Sequence, residues 1–69
     1  MIMTNVSSSN LSAVGYEDGK LQVDFLNGTS YVYSDVPRHI YDGLMAAPSK
    51  GSYLDQYVKK AGYHYTRIR

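Results

Sequence analysis

The residues best suited to binding chemistry in this chain lie at its C-terminal end, where aromatic rings alternate with cations. We call them the C-terminal cluster; its members are Lys59, Lys60, Tyr63, His64, Tyr65, Arg67 and Arg69. Rings interleaved with cations can stack on bases and neutralise phosphates, and tyrosine and arginine are also enriched in protein interfaces. The simpler alternative is that Tyr63 and Tyr65 only close one edge of the core.

Charge is unevenly distributed along the chain. Residues 1–58 contain three basic and six acidic residues, a net charge of −3, whereas residues 59–69 contain four basic residues and no acid, a net charge of +4. A basic end can meet phosphate or an acidic protein surface, or can be a solvated tail. RNA affinity depends on cations that neutralise phosphates. The net negative charge of residues 1–58 is therefore the main objection to direct RNA binding.

A second candidate site is the turn Ser49-Lys50-Gly51-Ser52, which precedes a predicted helix. Unpaired N–H groups and the helix dipole favour an anion at such a position, and Gly51 would let a ligand approach the backbone. For the serines we favour helix capping, the simpler interpretation. Ser49, Lys50 and Gly51 are still kept as candidate partner-binding residues.

No combination of residues has the spacing of a known catalytic or metal site. His39 lies near Asp35 and Asp42, an arrangement more typical of a surface charge pair than of an acid–base dyad. The chain has no cysteine, and His39 and His64 alone are a poor set of metal ligands. We therefore expect a non-catalytic protein that needs no metal and no cofactor.

The helices and strands that position these candidate residues form within a short chain that is rich in tyrosine. Its 69 residues include eight tyrosines, one phenylalanine and no tryptophan, so nearly all of its aromatic surface carries a hydroxyl. We expect one domain over residues 1–69, with a small core and self-association as a further way to bury surface. Without a membrane span or a signal peptide in the sequence, we expect it in the cytoplasm.

Two turn dipeptides, Asp18-Gly19 and Asn27-Gly28, predict a three-stranded antiparallel meander. Its strands run roughly from Leu11 to Tyr16, Lys20 to Phe25 and Thr29 to Ser34. In the first hairpin a two-residue loop pairs Glu17 with Lys20, Tyr16 with Leu21 and Val14 with Val23. Residues 4–12 are polar and rich in turn formers, and no strand is predicted before Leu11.

The second hairpin has two possible registers, which place its tyrosines on opposite faces. A two-residue loop pairs Val23 with Val32 and puts Tyr31 and Tyr33 on the polar face, where they could stack on bases as in sheet-based RNA binders. A three-residue loop with Gly28 in a left-handed bulge pairs Val23 with Tyr31 instead. We favour the second register, because a small domain needs the aromatic area in its core.

Helical periodicity begins near Pro37 and predicts two short helices packed on one face of the sheet, an α+β fold. The first helix carries the stripe Ile40, Tyr41, Leu44 and Met45 and ends at Pro48. The second carries Tyr53, Leu54, Tyr57, Val58 and Ala61, begins after Ser52 in a capping box with Asp55, and ends at Gly62. Residues 63–69 alternate again, and either add an edge strand or wrap the helices.

Several short motifs together resemble a known family. They are Ser8-Ser9-Asn10-Leu11, Val14-Gly15-Tyr16, Leu21-x-Val23-x-Phe25, Gly28, Tyr31-x-Tyr33, Val36-Pro37, Tyr41 and Ser49-x-Gly51-x-Tyr53. In this order and spacing they resemble the KTSC domain, from about Val6 to Arg67. That family occurs as small stand-alone proteins of bacteria and phages and at the C-terminus of some lysyl-tRNA synthetases, and the resemblance implies a suggested role in RNA binding.

From these observations we expect a binding module that acts by stoichiometric protein–protein interaction. By analogy with small phage regulators, its partner would be a host protein that handles nucleic acid, met in the host cytoplasm by the C-terminal cluster and the Ser49–Ser52 turn. The alternative is direct RNA binding by the tyrosines, arginines and lysines of the C-terminal cluster. No membrane partner is expected.

Overall fold

The sheet of this protein has five antiparallel strands arranged in chain order. The structure, a computed structural model, describes all residues from Met1 to Arg69. The strands are β1 (Met3–Asn5), β2 (Leu11–Glu17), β3 (Lys20–Phe25), β4 (Ser30–Tyr33) and β5 (Tyr65–Arg67), and each pairs with its neighbour in the order β1-β2-β3-β4-β5. The predicted α+β meander is therefore its centre, widened by one strand on each side.

The first hairpin has the predicted register. Glu17 pairs with Lys20, Tyr16 with Leu21 and Val14 with Val23. Asp18 and Gly19 both have positive φ, 51° and 78°, which is the backbone of a type I′ turn and matches the twist of the strands it joins.

The second hairpin adopts the three-residue loop. Val23 pairs with Tyr31, the Phe25 amide donates to the Thr29 carbonyl over 2.8 Å, and Gly28 has a φ of +92°. Asn27 closes the loop by accepting hydrogen bonds from the amide and the hydroxyl of Thr29. The favoured register is confirmed, and Tyr31 and Tyr33 lie on the core side of the sheet.

Two edge strands complete the sheet, and one of them was not predicted. β1 pairs with β2 through Met3 and Gly15 in a region expected to lack a strand. Gly15 makes this pairing possible, because a Cβ there would lie 2.9 Å from the Ile2 carbonyl oxygen and 2.5 Å from Met3 Sδ. At the other edge β5 pairs with β4, so residues 65–67 add an edge strand.

The helices are α1 (Arg38–Ala46) and α2 (Lys50–Leu54), and α2 continues as a π-helical turn (Asp55–Lys59). The predicted start after Ser52 is wrong. The helix begins at Lys50, and Ser52 accepts a hydrogen bond from the Ser49 hydroxyl instead of capping. Lys50 explains the earlier start, because its ammonium donates to the Met45 and Ala47 carbonyls, each over 3.1 Å, and thereby joins α2 to the end of α1.

The core lies between the helices and one face of the sheet, which we call the inner face. Its fully buried members are Leu11, Val14, Leu21, Val23, Tyr33, Val36, Leu44, Leu54 and Val58. The predicted inner-face residues Tyr16, Phe25 and Tyr31 pack against it while partly exposed. Of the predicted stripe on the second helix, Leu54 and Val58 are buried, but Tyr57 and Ala61 are exposed, which corrects the expectation for those two.

Close packing between the helices depends on Gly43. A Cβ at this position would overlap the Tyr53 hydroxyl and lie 2.8 Å from Tyr53 Cζ. The helix thus contains a residue of low propensity because the ring from α2 occupies the space of its missing side chain. Tyr16 fixes the other side of α1, where its ring stacks on Tyr41 at 5.3 Å and its hydroxyl donates to the Val36 carbonyl.

Candidate functional site

The most distinctive surface of the molecule is a row of aromatic rings on the inner face of β4 and β5. Tyr33 pairs with Tyr65 and Tyr31 pairs with Arg67, and directly paired residues point to the same face of a sheet. The rings of Tyr31 and Tyr65 are stacked, with centroids 5.7 Å apart and planes 12° from parallel. Tyr33 lies 5.8 Å from Tyr65 and closes the row at its base.

Phe25 and Lys59 complete this surface from β3 and the π-helical turn. The Phe25 ring meets Tyr31 edge to face at 5.9 Å, and the Lys59 ammonium lies 5.3 Å from the centroid of Phe25. Within the π-helical turn the Lys60 amide donates to the Asp55 carbonyl, so that the turn accommodates one more residue than an α-helical turn. Lys59, the last residue of this turn, forms the wall opposite the strands.

These residues line two adjoining depressions that share Tyr31 and Lys59. One has a volume of about 220 Å³ and is lined by Phe25, Asn27, Thr29, Tyr31 and Lys59. The other has a volume of about 280 Å³ and is lined by Tyr31, Tyr33, Lys59 and Tyr65. We call the two together the tyrosine groove. It exists because the helices cover the centre of the inner face but leave the β4–β5 side partly open.

The cations of the C-terminal cluster differ in how far they are already neutralised. Lys60 pairs with Asp55 at 3.4 Å, and Arg69 pairs with Asp24 at 3.7 Å. The Arg67 Nε donates to the Arg69 carbonyl over 3.1 Å. Lys59 has no hydrogen-bond or ion-pair partner in the protein, so the one wholly unpaired cation of the cluster lies in the tyrosine groove.

The hydroxyl of Tyr33 stays protonated at ordinary pH. Burial, and then the neighbouring Tyr31 and Tyr65, raise the pKa of Tyr33 above its usual value of 10.0. Tyr33 is buried as a residue, and its hydroxyl has no hydrogen-bond partner in the protein. Ser30 Oγ is the only buried side-chain polar atom without a partner, so the Tyr33 hydroxyl must reach the groove surface. The groove therefore offers the neutral hydroxyl of Tyr33, and Lys59 is the cation among its lining residues.

The Ser49–Ser52 turn is organised by contacts within the protein. The Lys50 ammonium is engaged by two carbonyls of the α1 end, and a Cβ at Gly51 would lie 3.1 Å from Asn10 Nδ2. Gly51 thus makes room for the loop before β2. No hydrogen bond joins this turn to the tyrosine groove, and none of its residues lines the groove.

The remaining candidates have separate positions. Tyr63 packs against the core, as the simpler interpretation held for it, whereas Tyr65 is 57 % exposed. His64 is exposed, and its carbonyl accepts a hydrogen bond from the Ser34 amide. His39 is also exposed, and the carboxylate of Asp42 pairs with Arg38. No three histidine, aspartate or glutamate side chains converge as metal ligands.

The sequence predicted Lys59 and Tyr65 as candidate partner-binding residues and favoured the core for Tyr31, Tyr33 and Phe25. The structure shows the five side chains together. The available signal was the alternation of residues 63–69, because pairing that segment with β4 places its rings beside Tyr31 and Tyr33. No helix of the protein has the length and apolar character required to cross a bilayer.

The fold and the groove define a small α+β domain, a five-stranded antiparallel sheet with helices on one face and an open aromatic row beside them. The chain belongs to the KTSC domain family, whose model matches residues 7–66.

Known proteins are similar to this chain over nearly its full length. A KTSC domain protein from Yersinia pestis, solved by crystallography, superposes with a TM-score of 0.88 at 31 % sequence identity, over 99 % of this chain and 97 % of that one. A protein of Tsukamurella paurometabola is 37 % identical over 59 residues, covering 83 % of this chain and 88 % of the relative. An uncharacterized protein of Stutzerimonas stutzeri is 35 % identical over 65 residues, 91 % of this chain and 92 % of the relative.

Proposed function

We propose that this protein is a non-catalytic binding module whose tyrosine groove contacts a protein partner. The observation that carries the proposal is an open row of stacked tyrosines next to an unpaired cation, Lys59. Tyrosines of this kind supply contact area at low entropic cost, and their hydroxyls add directional hydrogen bonds. A charged residue beside them adds specificity for the sign of the partner's charge.

The proposed partner is a host protein that handles nucleic acid, and the proposed mode is stoichiometric regulation or inhibition in the cytoplasm. This finer proposal is supported by the small size of the chain and by analogy with stand-alone phage domains, an argument from association. An affinity capture from host lysate, repeated with and without nuclease, tests it. We expect the same protein to be captured in both conditions, and loss of all captured protein after nuclease treatment would contradict the proposal.

Direct RNA binding is the second candidate, supported by the aromatic row and the basic C-terminal segment. It is less favoured because Lys60 and Arg69 are paired with Asp55 and Asp24, and residues 1–58 carry a net charge of −3. Affinity for RNA should fall steeply as salt rises, because phosphate contacts release counterions. A titration with single-stranded RNA at low salt decides: submicromolar, salt-sensitive binding would establish this candidate over the protein partner.

A further inference from the structure

The chemistry of the tyrosine groove indicates what kind of protein segment it fits, an inference that rests on the proposed function. Its two halves measure about 220 Å³ and 280 Å³, each below the range of roughly 300–1,000 Å³ usual for small-molecule sites. Depressions of this size hold single side chains. They also adjoin, which suits successive side chains of one extended segment better than a separate compact ligand.

The spacing of the rings argues against a base held between them. A base inserted between parallel rings needs a centroid separation of about 7 Å, two contact distances of about 3.5 Å. The separation of Tyr31 and Tyr65 is 5.7 Å, which leaves no such gap. A narrow apolar ring or aliphatic side chain that lies in the depressions on either side of Tyr31 fits this geometry.

The groove offers hydrogen-bond donors that the protein itself does not use. The hydroxyls of Tyr31, Tyr33 and Tyr65 donate to no acceptor within the protein, in contrast to that of Tyr16. A polyproline II segment has no internal hydrogen bonds, so its carbonyls are available as acceptors. Aromatic-lined grooves that bind proline-rich segments in this conformation are a recurring mode of peptide recognition.

The positive charge of Lys59 favours a negatively charged side chain in the segment that the groove binds. Lys59 is shared by both depressions and has no acidic partner, while the nearest acids along the chain and sheet, Asp55 and Asp24, are already paired with Lys60 and Arg69. Burial of an unpaired ammonium under a bound segment is unfavourable unless a carboxylate accompanies it. We propose that the tyrosine groove binds an extended, proline-containing peptide segment of a partner protein, with an aspartate or glutamate of that segment on Lys59.

A peptide selection tests this proposal without knowledge of the partner. A display library of random short peptides is selected on immobilised wild-type protein and counter-selected on the Lys59→Glu, Tyr65→Ala double variant. We expect enrichment of proline-containing peptides with an acidic residue near the proline. A labelled peptide from this set should lose about tenfold or more in affinity with either single variant, as hot-spot residues do.

Two matched controls keep the result specific to the groove. Lys60→Glu makes the same charge change one residue away, and Tyr57→Ala removes a tyrosine of similar exposure, 47 % against 57 %. Both should change affinity less than twofold. Circular dichroism and thermal unfolding identify any variant that fails to fold, and for such a variant Tyr65→Leu, which keeps apolar area but removes the hydroxyl, is measured in its place.

The proposal is overturned if the enriched peptides lack proline, if they are basic, or if none is enriched over the counter-selection. It is also overturned if the control variants weaken binding as much as the groove variants, or if single-stranded oligouridine displaces the peptide at equal concentration. None of these results changes what the lysate capture measures. Failure of the peptide proposal can therefore be distinguished from failure of the proposed function.

Discussion

Whether a tyrosine has a structural role or lines the candidate binding surface depends chiefly on the residues around its hydroxyl. Tyr16 donates to the Val36 carbonyl and is a structural residue. Tyr53 fills the space above Gly43. The hydroxyls of Tyr31, Tyr33 and Tyr65 have no acceptor in the protein and line one groove. One residue type thus serves the core, the helix packing and the candidate binding surface.

The raised pKa values of Tyr33 and Tyr53 predict how stability changes in alkali. Burial is the main cause for both, followed by neighbouring tyrosines. Because the folded-state pKa lies above the ordinary value of 10.0, the folded chain holds these protons more tightly than the unfolded chain. The free energy of unfolding should therefore be unaffected below about pH 10 and should fall as pH rises further.

Urea denaturation between pH 8 and pH 11.5 measures this effect. Tyr33→Phe keeps the ring and removes a hydroxyl that has no partner in the protein, so we expect near wild-type stability at pH 8 and a shallower decline above pH 10. Equal declines in wild type and Tyr33→Phe would show that Tyr33 does not contribute.

Gly43→Ala tests the contact between the helices. In an exposed helix this change would stabilise by up to about 1 kcal/mol, but here the new Cβ overlaps the Tyr53 ring. We expect a net loss of about 1–3 kcal/mol, the usual cost of overpacking. Adding Tyr53→Phe should recover part of the loss, because the hydroxyl is the nearest atom. A stabilised Gly43→Ala protein would contradict the packing described here.

At the scale of elements, local sequence determined the meander but not its edges. Turn dipeptides and alternation predicted both hairpins and the register of the first, but they left two registers open for the second, where only the need for aromatic core area favoured the bulged loop. β1 was missed because Met3-Thr4-Asn5 has no strand pattern of its own, and its pairing depends on the absent side chain of Gly15. The start of α2 was misplaced because Lys50 bonds the end of α1, a tertiary contact.

Only part of the candidate site could be predicted from the sequence, because the rest depends on tertiary packing. Residue type and charge identified Lys59, Tyr65 and Arg67, but periodicity cannot show how far two short helices extend across a sheet. Tyr31 and Tyr33 were therefore predicted in the core. Their partial access to the groove follows from the length of α2 and from the position of its π-helical turn.

Gly15→Ala should detach β1 with little effect on the rest of the sheet. The new Cβ would lie 2.9 Å from the Ile2 carbonyl oxygen, a backbone atom that can move only with the strand. We expect a loss of about 1–3 kcal/mol in stability and faster hydrogen exchange at Val6, whose amide donates to the Ser12 carbonyl. Amides of β3 serve as the internal control, and unchanged exchange at Val6 would show that β1 tolerates the added methyl.

At the scale of the whole molecule, the protein presents one open aromatic surface on a small and otherwise well-paired domain. Its charge asymmetry is partly cancelled by ion pairs, which leave Lys59 and Arg67 without an acidic partner, and Lys59 is the one that lines the tyrosine groove. This combination favours a partner recognised by contact area and one or a few charges over a polyanion recognised along its length. The central claim is that the tyrosine groove is the surface that the partner contacts.

A paired capture from one bacterial lysate tests that claim most directly. Equal amounts of wild-type protein, the Lys59→Glu, Tyr65→Ala variant and the Lys60→Glu, Tyr57→Ala control are immobilised, and the proteins retained after nuclease treatment are quantified. We expect a protein retained by wild type and control alike to be reduced about tenfold or more on the groove variant. Equal retention on all three would place the contact elsewhere and contradict the account.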